Sequence, residues 1–162
     1  MRPHLNVPTD RLVRSSRFLG IVALTVLLMA GCGGSGNTPE DELRQWLEDA
    51  EIEAEDRNRR ALLTRISDNY ADARGNQKAD IDNVLRYYFL RQKSVSLLTT
   101  INELQVYGDS AAEIDLTVGM AGTQGGINLS ADVWNFEFEL ERVDGDWLLI
   151  GARWGELGGD IR

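Results

Sequence analysis

Tyr70, Tyr87 and Tyr88, with Asp68 and Asp72, fall in one short stretch of the chain, and they are the side chains whose types could carry proton-transfer chemistry. A tyrosine or carboxylate works as an acid or base when burial moves its pKa toward neutrality. Histidine would do this more readily, but the one histidine, His4, belongs to an N-terminal segment that is expected to be removed. The one cysteine, Cys32, stands at the end of that segment and is expected to be modified. Histidine general bases, thiol nucleophiles and His/Cys zinc or haem sites are thereby excluded, and no metal or cofactor is expected. Asp68 and Asp72 fit ordinary turn and cap roles, and Tyr88 fits a half-buried core tyrosine with its hydroxyl at the rim. The glycine-rich stretch GMAGTQGGINLSA suggests a phosphate cradle, but it joins two strands and holds no basic residue. It is read as a mobile hairpin loop at the mouth of a pocket.

The elements that would position these residues begin after residue 31. Arg2, Arg11, Arg14 and Arg17 stand against the single acid Asp10, and an uncharged aliphatic run from Phe18 to Ala30 follows. A helix of that length reaches only ~20 Å, short of a ~30 Å hydrocarbon core, so the segment reads as a secretory signal peptide rather than a spanning helix. Met29-Ala30-Gly31-Cys32 then resembles the lipobox of bacterial lipoproteins, with Met29 where leucine is usual and Leu28 one place further back. The resemblance implies cleavage before Cys32, acylation of its thiol and anchorage to the cell membrane on the extracytoplasmic side. In an organism with two membranes, Gly33 resembles the pattern sent to the outer membrane, facing the periplasm. At roughly 0.8 kcal/mol per buried CH₂, two or three acyl chains hold far more firmly than one myristoyl group. The chain divides into a signal peptide (1–31), a flexible tether (32–38) with a reach of about 12 to 14 Å, a domain (39–155) and a tail (156–162).

Residues 32–162 carry 13 Lys+Arg against 25 Asp+Glu, a formal charge of −12. Such a balance repels nucleic acid and anionic headgroups, so a charged partner is expected to be a basic protein.

Thr38 and Pro39 make a helix start, with acids in the first turn. Leu43, Trp46, Leu47, Ala50 and Ala54 form one stripe, which Ala61, Leu62 and Ile66 continue. The intervening EDAEIEAEDRNRR supplies Glu53–Arg57, Glu55–Arg59 and Asp56–Arg60 at i,i+4 and reads as a solvated helix face. ISDNYADARGNQ breaks the helix, and a second one from Lys78 to Gln92 is predicted to bury Ile81, Val84, Leu85, Tyr88 and Phe89. From Val95 onward the period becomes two. Val95 to Val106 is a strand whose parity switches between Ile101 and Leu104, which predicts a bend. In the next two strands Ala112, Ile114, Leu116, Val118 and Met120, and Trp134, Phe136, Phe138 and Leu140, face inward. Tyr107-Gly108-Asp109-Ser110 and Asp144-Gly145 are tight turns, the latter leading into Trp147 to Trp154. The fold class is α+β: two N-terminal helices packed on a four-stranded antiparallel sheet.

That element order, ending in DGDWLLIGARW, resembles the NTF2-like superfamily, also called SnoaL-like or the cystatin-like α+β roll, over about Pro39 to Trp154. ISDNYADARGNQKADIDNVLRYYFLRQ looks like a group of small bacterial proteins of unassigned function within it. The resemblance implies a curved, cone-shaped sheet whose concave side can hold an apolar pocket, and no particular activity. Candidate pocket residues are Trp46, Tyr70, Tyr88, Leu116, Trp134, Phe136 and Phe138, and Trp147 and Trp154 are read as core or edge. Inward positions Ile114, Leu116, Val118, Trp134, Phe136 and Phe138 hold no ionisable group, which argues against a catalytic carboxylate on the sheet. Glu113, Asp115, Glu137 and Glu139, with Glu141, form an acidic outer face that could meet a basic partner. The function expected is a non-enzymatic binding module for a partner protein or small apolar ligand. The alternatives are a carrier of lipid or another apolar molecule, and a small enzyme doing proton transfer.

Overall fold

The computed structural model describes residues 37–124 and 128–161. Cys32 and the segment before it lie outside the described residues. Helix α1 (Pro39–Glu55) starts with Thr38, whose hydroxyl accepts from the Asp41 amide at 3.2 Å while Asp41 Oδ2 accepts from the Thr38 amide at 3.2 Å. Reciprocal capping of this kind satisfies amides that have no partner within the helix. Leu43, Trp46 and Leu47, spaced i, i+3, i+4, are its buried face.

The helix does not continue through the charged run. It stops at Glu55, Arg57 takes a left-handed φ of 55°, and Asn58 caps a short helix α2 (Arg59–Thr64) by accepting from the Ala61 amide. The i,i+4 pairs Glu53–Arg57 and Glu55–Arg59 are therefore replaced by longer-range partners, and Asp56–Arg60 does not form. Glu53 takes a fork of two hydrogen bonds from Arg65 at 2.7 and 2.8 Å, and Glu55 Oε1 accepts from the Leu97 amide at 2.8 Å. Arg59 pairs with Asp82, and Arg57 donates to the Gln92 carbonyl at 3.0 Å. A bidentate guanidinium–carboxylate pair exceeds the few tenths of a kcal/mol of an exposed i,i+4 pair, so turning the chain back on itself is the better arrangement.

Residues 65–73 run along the edge of the last strand. The Leu149 amide donates to Arg65 O, and the Ser67, Ala71 and Ala73 amides donate to Leu149, Ile150 and Ala152 carbonyls at 2.9 to 3.1 Å. Ile66, expected to be helical, is bridged in parallel to Leu149, and the segment covers an edge that would otherwise be open. Helix α3 (Lys78–Arg91) follows, with no fully buried residue. Val84, predicted to be buried, is 60 % exposed, while Ile81, Leu85, Tyr88 and Phe89 are half-buried.

Strands β1 (Ser94–Tyr107), β2 (Ala111–Gln124), β3 (Asn128–Val143) and β4 (Asp146–Glu156) form an antiparallel meander in sequence order. The register of β1 shifts between Ile101 and Glu103, the place where its parity changes. A second shift lies between β3 and β4, where Glu139 pairs with Gly151 and Leu140 with Leu149, leaving Ile150 of β4 as the extra residue. Each bulge adds bend and twist to its strand. Asp144 and Gly145 have φ of 54° and 98°, as a two-residue primed turn requires. Helix α1 covers the inner face, where Leu43, Ile114, Leu116 and Leu140 are at most 1 % exposed. The fold class read from the sequence holds, with three helices in place of two among the described residues. The glycine-rich stretch is mostly strand: Gly119, Ala121 and Gly122 pair with Val133, Ala131 and Ser130, and only 125–127 lie outside the described residues.

Candidate functional site

The inner face of the sheet divides into a filled half and an open half. At the filled half, Trp46 meets Phe138 edge-on at 6.5 Å, and Trp147 donates its indole N–H to Glu42 on α1 at 3.1 Å. Of the seven candidate pocket residues, Trp46 (8 % exposed), Tyr70 (3 %) and Leu116 (1 %) belong to this packed core, and Phe138 packs against it; Trp46 also lines a recess of about 300 Å³ with Arg65 and Trp147. They are apolar side chains at inward positions, and α1 closes over them.

The open half keeps the other candidates. Phe136 stacks tilted against Phe138 at 5.5 Å, and both are half-buried. Trp134, also half-buried, lies beyond the residues that join the core cluster. Met120 on β2 pairs with Asp132 on β3, two residues before Trp134, so Asp132 shares the inner parity of Trp134 and Phe136. Tyr88 comes to this end from α3. Burial first, then the negative charge of Asp132, holds its hydroxyl above the usual tyrosine range. A tyrosine so shifted stays protonated at neutral pH and serves as a hydrogen-bond donor. Asp132 escaped the sequence reading because Gly119 to Ala131 was read as a loop; carrying the alternation back from Trp134 would have found it.

One further polar group closes this end. Gln92, at the end of α3, is 5 % exposed, and its Oε1 has no hydrogen-bond partner among the described residues. A Cβ on Gly122 would come within 2.8 Å of that oxygen, so glycine is required for the amide to lie on the sheet. The arrangement is a shelf of Trp134, Phe136 and Met120 with Tyr88, Asp132 and Gln92 at its border. It can seat an apolar group and offer it the Tyr88 hydroxyl as donor and the Asp132 carboxylate as acceptor, Gln92 Oε1 being buried behind them.

Tyr70 and Asp72 form a separate buried unit. Burial and then the neighbouring Asp72 carboxylate push the Tyr70 hydroxyl well above its ordinary value. Asp72 also accepts from the Arg74 and Asn76 amides and from Asn76 Nδ2, at 2.8 to 2.9 Å. It organises the turn into α3, as its sequence reading expects. Asp68 is exposed and paired with Lys78 at 2.7 Å, and Tyr87 is 61 % exposed on α3.

On the outer face, Glu113, Asp115, Glu137 and Glu139 do come together, lining a groove of about 170 Å³ that also holds Arg153. Arg153 is 2.7 Å from Glu137 and 4.0 Å from Glu139. Partial burial, followed by Glu137, Glu103 and Glu113, raises the Asp115 carboxyl pKa, against which Arg153 acts. A folded-state carboxyl pKa raised above its unfolded value destabilises the ionised native state, and the penalty fades as pH falls through that raised value. Asp115→Asn is therefore expected to add a few tenths of a kcal/mol at pH 7, a modest gain because the groove is largely solvated. Paired urea titrations should show the advantage vanish below about pH 4.

No protein-family model matches the sequence, and no curated protein matches it. Solved structures share its shape. An NTF2-like protein with a cystatin-like fold from Novosphingobium aromaticivorans is 15 % identical, with a TM-score of 0.60 over 94 % of both chains. A protein from the same organism proposed to be a scytalone dehydratase is 9 % identical, with a TM-score of 0.65 over 83 % of this chain and 87 % of that one. An NTF2-like protein of unknown function in nutrient uptake from Rhodospirillum rubrum is 17 % identical, with a TM-score of 0.58 over 72 % of this chain and 98 % of that one. Likeness at such identities shows the fold, which is NTF2-like.

Proposed function

We propose that this NTF2-like domain is a non-enzymatic binding module of a cell-envelope lipoprotein, held at the membrane through an acylated Cys32, and that its open end takes an apolar group of a ligand or partner. The observation that carries this is the division of the inner face. Ile114, Leu116 and Leu140 are at most 1 % exposed, so one half is filled, while Trp134 and Phe136 remain half-buried at the other. An enzyme of this shape needs an ionisable group deep in the apolar interior. Here the carboxylate nearest the shelf, Asp132, is an exposed residue at its border. With a short tether after Cys32, the domain would work close to the membrane surface, in the outer membrane if the organism has two.

Two measurements test the two halves of the proposal. Intact-mass analysis and fractionation should find acylated protein in the membrane fraction, and Cys32→Ser should move it to the soluble fraction; soluble, unmodified wild-type protein sinks the anchor. A naphthylamine fluorescent probe should bind saturably, with Trp134→Ala weakening it about tenfold through lost apolar contact. Binding indifferent to Trp134 would place the apolar site elsewhere.

A further inference from the structure

The break between α1 and α2 gathers arginines that a continuous helix would have spread along its face. Arg57, Arg59 and Arg86, with Asp56, Phe89 and Leu90, line a groove of about 320 Å³ between the α1–α2 corner and the C-terminal half of α3. Arg60 and Arg91 adjoin these positions in the chain. In a chain with 25 acids against 13 bases after residue 31, this is a local reversal of charge. Arg59 is occupied by Asp82 and Arg57 by the Gln92 carbonyl, leaving Arg60 and Arg86 without a carboxylate among the described residues. The apolar part of the lining is Phe89, half-buried, and Leu90, which is 79 % exposed.

We infer that this groove is a docking site for an acidic peptide segment of a partner protein, one carrying an aliphatic or aromatic residue between carboxylates. Arg86 in the groove and Arg60, next to Arg59 in the chain, match two carboxylates, each able to take a two-bonded fork, with Phe89 and Leu90 seating the apolar residue. A fatty acid brings one carboxylate and would leave the second of these two arginines unanswered. An anionic bilayer presses on protruding surfaces rather than recesses, and it would be repelled by Glu48 and Glu51 on the adjoining helix. The inference is independent of Cys32 and of the Trp134 shelf.

Fluorescence anisotropy with a labelled dodecapeptide of Glu and Asp interspersed with Leu and Phe tests it on the full chain. Saturable binding is expected, weakened about tenfold by Arg86→Glu and several-fold by Leu90→Ser, and reduced by salt. Both side chains are at the surface, and thermal melts confirm that the variants fold. Glu139→Ala, on the outer sheet face, should leave binding unchanged. Absence of saturable binding, equal binding of a peptide with Lys in place of its acids, or binding indifferent to Arg86 overturns the inference. So does Arg86-dependent capture of phosphatidylglycerol vesicles or decanoate, or self-association, without capture of the peptide.

Discussion

Leu43→Ala is expected to lower the unfolding free energy by about 3 to 4 kcal/mol, the range for deleting a fully buried leucine and leaving part of the cavity behind. Leu43 is 0 % exposed and belongs to the same core cluster as Ile114, Leu116 and Leu140. The cost should sit at the upper part of the range because its neighbours are held by a sheet register and cannot collapse into the void. Helix α1 supplies Leu43, Trp46 and Leu47 to that core, whereas α3 supplies no fully buried residue. The corresponding change on α3, Val84→Ala, should cost well under 1 kcal/mol, since its side chain is largely in water already. Urea denaturation of the two variants side by side checks the contrast, and a similar loss in both would mean that α3 holds the core as much as α1 does.

Asp72→Ala is expected to cost about 3 kcal/mol, and for a different reason. The carboxylate is 7 % exposed and accepts from two backbone amides and the Asn76 side chain, with the buried Tyr70 hydroxyl nearby. Removing it strands donors in a buried turn, and each stranded donor costs roughly 1 to 3 kcal/mol. Tyr70→Phe, which takes away only the hydroxyl beside that carboxylate, should cost about 1 kcal/mol. A double-mutant cycle on the pair should show positive coupling, and strict additivity would mean that the two side chains are independent. The pH dependence has a fixed sign. A tyrosine whose folded-state pKa lies above its unfolded value contributes stability that is complete below about pH 10 and is lost as pH rises beyond that. Wild-type protein should therefore lose stability in alkali more steeply than Tyr70→Phe.

Neither residue would be chosen from its type alone, and the two cases divide what was legible in advance. Leu43 lies on a 3.6-residue stripe and Asp72 among turn formers, so their kinds of role follow from local pattern. That Asp72 would be buried beside the Tyr70 hydroxyl depends on 65–73 being drawn onto β4. The open-end site was legible in part: Trp134, Phe136 and Tyr88 come from the alternation and the resemblance, while Asp132 was hidden by glycines that suggested a loop. The groove at the α1–α2 corner was not legible at all, because acid-before-base spacing in EDAEIEAEDRNRR satisfies the helical rule locally.

By itself the sequence determined everything that depends on neighbours a few residues away. Thr38 and Pro39 start α1, two-residue alternation sets the faces of the strands, the parity switch in β1 marks its bulge, and Asp144-Gly145 turns the last hairpin. Tertiary structure decided whatever depends on partners far along the chain. Arg65 reaching Glu53 and Arg59 reaching Asp82 end the helix at Glu55, backbone pairing draws 65–73 onto β4, and α1 rather than α3 closes the core. The physical reason is one of energy: helical charge pairs contribute tenths of a kcal/mol each, whereas a bidentate ion pair or a buried leucine contributes several times more. Where the two conflict, the distant partner wins, and no window of local sequence contains it.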